Sequence, residues 1–292
     1  MPIQHILLAI LVAAVWGCNF IFVKLGVHEM PPLFLCALRF FLASVPAIFF
    51  IRWPTHAFKM VALYGIVMFA LQFSLLFTGM AVGMTAGMAG LLSQTAVFFS
   101  IFFAAIFIGE IPTIWQIMGA LLSFTGIALA ATHLDGSMTV AGFLLVIAGA
   151  ACLGLGNLIA RKLGHISTAT LVGWGSLIAF PPLLIVSLLI EGPEHILSSL
   201  HHFSWLVLIS LLYIVYISTW VGYGAWSWLL GRYPVSLVVP FALLVPVFAM
   251  LCSIVFLNES FEPWKMTVTG LVIAGLCINS LVPRLIRKKK KY

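Results

Sequence analysis

Long apolar runs recur along the chain, separated by short stretches that carry most of its charges. Ten runs are candidates to cross a bilayer: 6–23, 33–51, 61–78, 84–108, 114–131, 140–160, 171–190, 203–230, 235–257 and 266–282. Most approach the roughly 20 residues that ~30 Å of hydrocarbon requires of a helix. Barrel strands would be about half as long and would alternate polar with apolar residues. These runs do neither, so they predict helices, which satisfy their backbone groups within one segment. The eighth run is long, which predicts a tilted or protein-surrounded helix. The expected fold class is an all-α membrane protein of ten transmembrane helices.

Composition agrees. Of 292 residues, 63% are hydrophobic and 7% charged, with a mean hydropathy of +1.22. A soluble domain carries about a quarter charged residues. So few charges leave large apolar patches on any water-facing surface, which disfavours a soluble enzyme, a disordered chain or a secreted disulfide scaffold. The net charge is +7, and six of the 14 cations (Arg284, Arg287 and Lys288 to Lys291) fall in residues 284–292. A basic tail directly after an apolar helix reads as a cytoplasmic, lipid-facing anchor. No aromatic-basic domain accompanies it, so nucleic acid is not an expected partner. The five cysteines lie in apolar runs without a CxxC pair and read as small core residues. No Lys or Arg precedes the first run, a poor signal peptide, so a retained first helix is expected.

With the N-terminus inside, the inner loops and tail hold eleven cations: Arg52, Lys59, Arg161, Lys162, Arg232 and the six of the tail. The outer loops hold two, Lys24 and Lys265, and six of the seven acids, Glu29, Asp135, Glu191, Glu194, Glu259 and Glu262. This bias predicts both termini on the cytoplasmic side and an even number of helices.

The chain also repeats itself. CNFIFVKLG (18–26) answers GNLIARKLG (156–164) at an offset of 138, and FFAAIFIGE (102–110) answers LCSIVFLNE (251–259) at an offset of 149. At the second offset Trp115 matches Trp264 and Gly126 matches Gly275. Residues 1–137 and 138–283 then form two repeats of five helices each, with 284–292 as the tail. Five is odd, so the copies are expected in opposite orientations. Inverted repeats recur in secondary transporters, with the substrate site between the halves.

WGCNFIFVKLG (16–26), LRF (38–40) and the GE and NE closing runs four and nine resemble the EamA domains of the drug/metabolite transporter superfamily. The likeness spans almost the whole chain as two tandem copies. PPLFLCALRFFLASVPAIFF (31–50), VGYGAWSWLLGRY (221–233) and LLVPV (243–247) resemble its branch of cysteine and O-acetylserine exporters. The resemblance implies a ten-helix exporter of amino acids and related metabolites in the bacterial inner membrane.

Arg39 is the sharpest candidate for a substrate contact. It lies eight residues after Pro31, about 12 Å into its helix at 1.5 Å per residue, with no Asp or Glu at comparable depth. An unpaired Arg there costs at least ~2.5 kcal/mol on insertion scales, so something must solvate it. Its guanidinium suits a substrate carboxylate, or it ties helices together through backbone carbonyls. Four amides follow: Gln72 and Gln94, and the repeat-matched Asn19 and Asn157. Each either holds substrate or stitches helices. Aromatic residues crowd runs one, seven and eight. Tyr223 and Trp226 share a helical face, and with Trp16 and Trp174 they either line a cavity for an ammonium group or pack helices. Glu110 and Glu259 either form a proton-coupling pair or, since each precedes a helix with Pro in its first turn, cap it, and capping is the expected role. No carboxylate or histidine lies in the core of a run, so a coupling proton has no obvious carrier.

No GxSxG, HExxH or Walker A motif is present, so no catalytic residue, metal or cofactor is expected and transport must run on gradients. The expected function is export of cysteine- or O-acetylserine-like metabolites by alternating access. Alternatives are the same transporter with another cargo (aromatic amino acids, purines, a nucleotide-like cofactor or drugs) or a membrane-embedded sensor or enzyme.

Overall fold

The computed structural model describes residues 1–133, 138–164, 166–259 and 262–289, and these are helical without a strand. The helices are α1 (Ile3–Glu29), α2 (Pro32–Ile48), α3 (Phe58–Ala81), α4 (Ala86–Ile108), α5 (Ile114–Ala131), α6 (Val140–Lys162), α7 (Thr168–Ile190), α8 (Trp205–Arg232), α9 (Val239–Leu257) and α10 (Pro263–Lys289). One turn, Val235–Val238, leads into α9, and a nine-residue helix, Pro193–His201, joins α7 to α8. Among the described residues eight helices are long and apolar enough to cross a membrane, and α2 carries a shorter apolar stretch, Pro32–Val45. α10 runs on into the expected basic tail as far as Lys289; Asp135, Lys290 and Lys291 lie outside the described residues.

α1 continues six residues past its predicted end because Lys24 is satisfied inside the bundle. Its Nζ donates to the carbonyls of Met80 (2.7 Å) and Met84 (3.0 Å). Four helices are irregular. α3 widens to π-helix over Gly65–Leu71 and α8 over Tyr213–Val221, which accounts for the length of α8. α4 breaks at Gln94 and Thr95. α9 begins as the tighter 3-10 form over Val239–Leu244 and resumes as α-helix at Val245, with Pro240 and Pro246 each in a first turn where the missing N–H costs nothing. α7 runs continuously through Pro181 and Pro182.

The main packing pairs are α5 with α10, α2 with α7, α3 with α6, α1 with α9, and α4 with both α6 and α9. Small residues set the close crossings. A Cβ on Gly119 of α5 would stand 2.5 Å from the Gly275 carbonyl of α10, and one on Gly65 of α3 would stand 2.5 Å from that of Gly175 in α7. The small-residue stretch 83–90 behaves likewise, with Gly87 pressed on Met250 and Ser253 of α9. Outward, the bundle is apolar: Phe102, Phe107, Leu121, Leu189, Val255 and Phe256 are each more than half exposed. A lipid-facing surface is built this way; one facing water is not.

Three carboxylates shape the ends of the bundle. Glu191, closing α7, accepts from the first amides of α2, Leu33 (2.7 Å) and Phe34 (3.0 Å). Glu259 accepts from the first amides of α4, Ala86 (2.7 Å) and Gly87 (3.3 Å). Free N–H groups and the positive end of the helix dipole make both contacts favourable. The expectation that Glu110 and Glu259 cap the helices that follow them is therefore corrected. Glu259 caps a helix 173 residues back in the chain, Glu110 pairs with Arg161 (2.7 Å), and α5 is capped by Thr113 in a reciprocal box with Gln116.

Gly119→Val is expected to destabilise the fold by about 1–3 kcal/mol, the usual cost of overpacking. Gly270→Ala, at an α10 position with open space around the added carbon, is expected to leave stability unchanged or raise it. Thermal unfolding of the two purified variants in one detergent checks the contrast.

Candidate functional site

Arg39 sits in α2, only 3% exposed, so its charge is sheltered from lipid as well as from water. Its Nη2 donates to Thr219 Oγ1 of α8 (3.2 Å). The guanidinium carbon lies 4.0 Å from the ring centre of Phe73 in α3, with Phe40 at 5.5 Å and Phe77 at 5.8 Å. Ring faces attract a cation, more so when water is excluded. Nε and Nη1 are buried without a hydrogen-bond partner, and among the described residues no carboxylate pairs with the group. A buried cation with two idle donors is a costly arrangement, and its planar fork is the shape that receives a carboxylate.

The π-helical stretch of α8 delivers Thr219. The Thr219 hydroxyl donates to the carbonyl of Ile214, five residues back, and its lone pairs face Arg39. Nothing in the sequence singled out this threonine; its only signal is a hydroxyl inside an apolar run. Phe73 and Phe77 are spaced i, i+4, so α3 sets both on one face.

Three of the expected aromatic residues come together. Trp16 of α1 lies 5.4 Å from Tyr223 and 5.2 Å from Trp226, centre to centre. Its Nε1 donates to the Ser218 carbonyl (3.1 Å), which fixes the ring against α8 one residue from Thr219. Gly222 makes room, since a Cβ there would stand 2.6 Å from Trp16 Nε1. The amides divide. Gln72, directly before Phe73, and Asn19 are buried, and the side-chain oxygen of each lacks a partner. Gln94 is half-buried at the break in α4.

Asn157 and Trp174 lie apart from this group. Trp174 Nε1 is committed to the Arg52 carbonyl (3.0 Å), with its ring edge-on to Trp53. Asn157 is exposed and donates to Ser100 Oγ (3.3 Å). Asn157 and Ser100 line a cavity of about 290 Å³ between α4 and α6 that also takes in Gln116, Glu110 and Arg161; Trp174 does not reach it. The hydrogen bond from Arg161 holds the Glu110 carboxyl below the usual carboxylate range.

Thr219→Val deletes the one hydrogen bond of a buried cation at nearly constant volume. The expected loss is about 1.5–3 kcal/mol, read as a lower unfolding temperature, and Thr219→Ser is expected to recover most of it.

Comparison with known proteins places the chain. The model of the EamA-like transporter family matches residues 4–132 and again residues 140–281. A probable amino-acid metabolite efflux pump of Salmonella typhimurium LT2 is 38% identical over 278 residues, covering 93% of each chain. A probable amino-acid metabolite efflux pump of Escherichia coli K12 is 37% identical, also covering 93% of each chain. A protein of known crystal structure, 18% identical, superposes with a TM-score of 0.64 over 96% of both chains, which supports the fold alone. With its many apolar helices, the chain belongs to the EamA-like transporter family of multi-pass membrane proteins.

Proposed function

We propose that the protein exports small amino acids and related metabolites, of the cysteine and O-acetylserine kind, across the bacterial inner membrane by alternating access. The observation that carries this reading is Arg39: a buried guanidinium with two idle donor nitrogens and, among the described residues, no carboxylate partner, between α2, α3 and α8. A cargo carboxylate takes those two donors. The Trp16–Tyr223–Trp226 cluster faces the ammonium, and Gln72, Gln94 and Asn19 supply hydrogen bonds. Asn157, beside Glu110 and Arg161, meets cargo earlier on its path, and Trp174 anchors the end of α7. The names of the Salmonella and Escherichia relatives point to the same class of cargo.

In this reading ten helices cross the membrane, as residues 1–137 and 138–283 in opposite orientations, with 284–292 and the N-terminus in the cytoplasm. The packing supports it. Exchanging each helix for the one five places along turns α1–α9 into α6–α4 and α3–α6 into α8–α1. The same exchange returns α2–α7, α5–α10 and α4–α9 to themselves, and all of these pairs are in contact. The lipid bilayer and the cargo are its partners, and a coupling proton is tested with them.

The test is efflux from proteoliposomes loaded with labelled cysteine, O-acetylserine, threonine or phenylalanine, with and without an imposed pH gradient. Saturable flux of the small amino acids is expected, and no saturable flux of any of the four overturns the reading. Gradient-insensitive flux removes the proton. Arg39→Lys, which cannot grip a carboxylate with two parallel bonds, is expected to raise KM by about tenfold or more, some 1.4 kcal/mol. A second reading, aromatic amino acids as cargo, draws on the same three-ring cluster. It is favoured if phenylalanine alone is carried.

A further inference from the structure

The C-terminal halves of α4 and α9 are duplicates in detail. Ala96–Ile108 and Val245–Leu257 are both 13 residues long, and each ends in a left-handed residue, Gly109 (φ 74°) and Asn258 (φ 50°). The amides of the next residues, Glu110 and Glu259, reach back to Ala104 and Ser253, both at 3.3 Å. Every one of these positions is related by the 149-residue offset of the sequence repeat. The backbone delivers the two carboxylates identically, yet they do different things. Glu259 bridges to the start of α4 at Ala86 and Gly87. The matching target for Glu110, at the same offset, is the start of the turn leading into α9, at 235 and 236. Instead Glu110 holds Arg161, with side-chain exposures of 45% and 60%, at the rim of the α4–α6 cavity.

A second pair shows the same asymmetry. Lys24 and Lys162 correspond at the 138-residue offset. Lys24 ties α1 to the carbonyls at the end of α3, while Lys162 is exposed and follows directly on Arg161, the partner of Glu110. At one end of the bundle both groups reach backbone across helices; at the other end Glu110 is held by Arg161 at the rim of a cavity and Lys162 is exposed. Two copies of one latch in one molecule, one shut and one open, are what an alternating carrier needs, because both shut would trap cargo and both open would leak.

Resting on the transporter reading above, we propose that Glu259 and Glu110 are the paired gate residues of this protein. In the alternate state Glu259 leaves the start of α4. Glu110 leaves Arg161 and bridges to the amides at 235 and 236, while Lys162 reaches the carbonyls at the end of α8. The state described here is the one open at the Glu110 end, and Arg161 is the counter-latch that holds Glu110 back.

Hydrogen–deuterium exchange of the full chain in nanodiscs, followed on peptides covering 84–90 and 233–239, tests this without any cargo. Glu259→Gln is expected to speed exchange at 84–90 and slow it at 233–239, by about fivefold, the lower end of ordinary conformational coupling. The decisive comparison breaks one exposed ion pair from either side. Arg161→Ala frees Glu110 to latch, so 233–239 slows and 84–90 quickens. Glu110→Gln leaves nothing to latch, so 233–239 quickens and 84–90 stays protected. If the two variants move both peptides in the same direction, or Glu259→Gln leaves 233–239 unchanged, the paired gate is wrong. Loss of flux for every amino acid with these exchange patterns intact would overturn the cargo reading and leave the gate standing.

Discussion

A charge that the fold cannot neutralise by itself governs this structure. Arg39 is buried among helices and solvated by one threonine hydroxyl and three phenylalanine rings. Water would satisfy all five of its N–H groups. The ring faces offset part of that loss, about 0.5–2 kcal/mol for a desolvated contact. Two of its three nitrogens, Nε and Nη1, remain idle. The proposed role of Arg39 accounts for this cost, because a binding site must leave something for its ligand to satisfy. A fully satisfied guanidinium would make a more stable bundle and a poorer receptor.

Close approach of the helices makes the burial possible. Glycines at 65, 119 and 175 bring carbonyl oxygens to within a van der Waals shell of neighbouring helices. In lipid no hydrophobic force drives helices together, so contacts of this kind and polar ties hold the bundle. The ties are long-range: Glu191 to α2, Lys24 to the end of α3, Tyr213 to the Val15 carbonyl, and Trp220 to that of Ala43. Each joins a side chain to backbone, so it survives neutral variation at the residue that supplies the backbone group but not a change of register.

Much of the helical pattern was legible in the sequence, because a 20-residue apolar run in so weakly charged a chain has few other uses. Arg39 was legible as a charge at depth, and Tyr223 with Trp226 as one helical face. What escaped was whatever depends on partners far along the chain. Thr219 is an ordinary residue until Arg39 arrives from 180 positions away. Glu259 looked like a cap for the helix beside it, since a sequence window sees only neighbours, yet the first turn it serves lies 173 residues back. Trp174 could line a cavity or pack helices as far as its sequence showed; its bond to the Arg52 carbonyl, 122 positions away, was not legible there. The short helix Pro193–His201 carries Pro at its first position and Gly192 with positive φ before it, a start signal the sequence does hold.

The widened segments of α3 and α8 bear on how Arg39 is released. A π turn holds one residue more than the coil around it, and such a bulge can travel along a helix by exchanging one carbonyl partner for the next. Thr219 sits within one bulge, and Phe73 lies two residues past the end of the other. Moving either bulge past its residue turns that side chain by about 100° around the helix axis, one step of an α-helix. The hydroxyl and the ring beneath the guanidinium can thus be withdrawn by local rotation, with no lengthwise sliding of the helices that carry them.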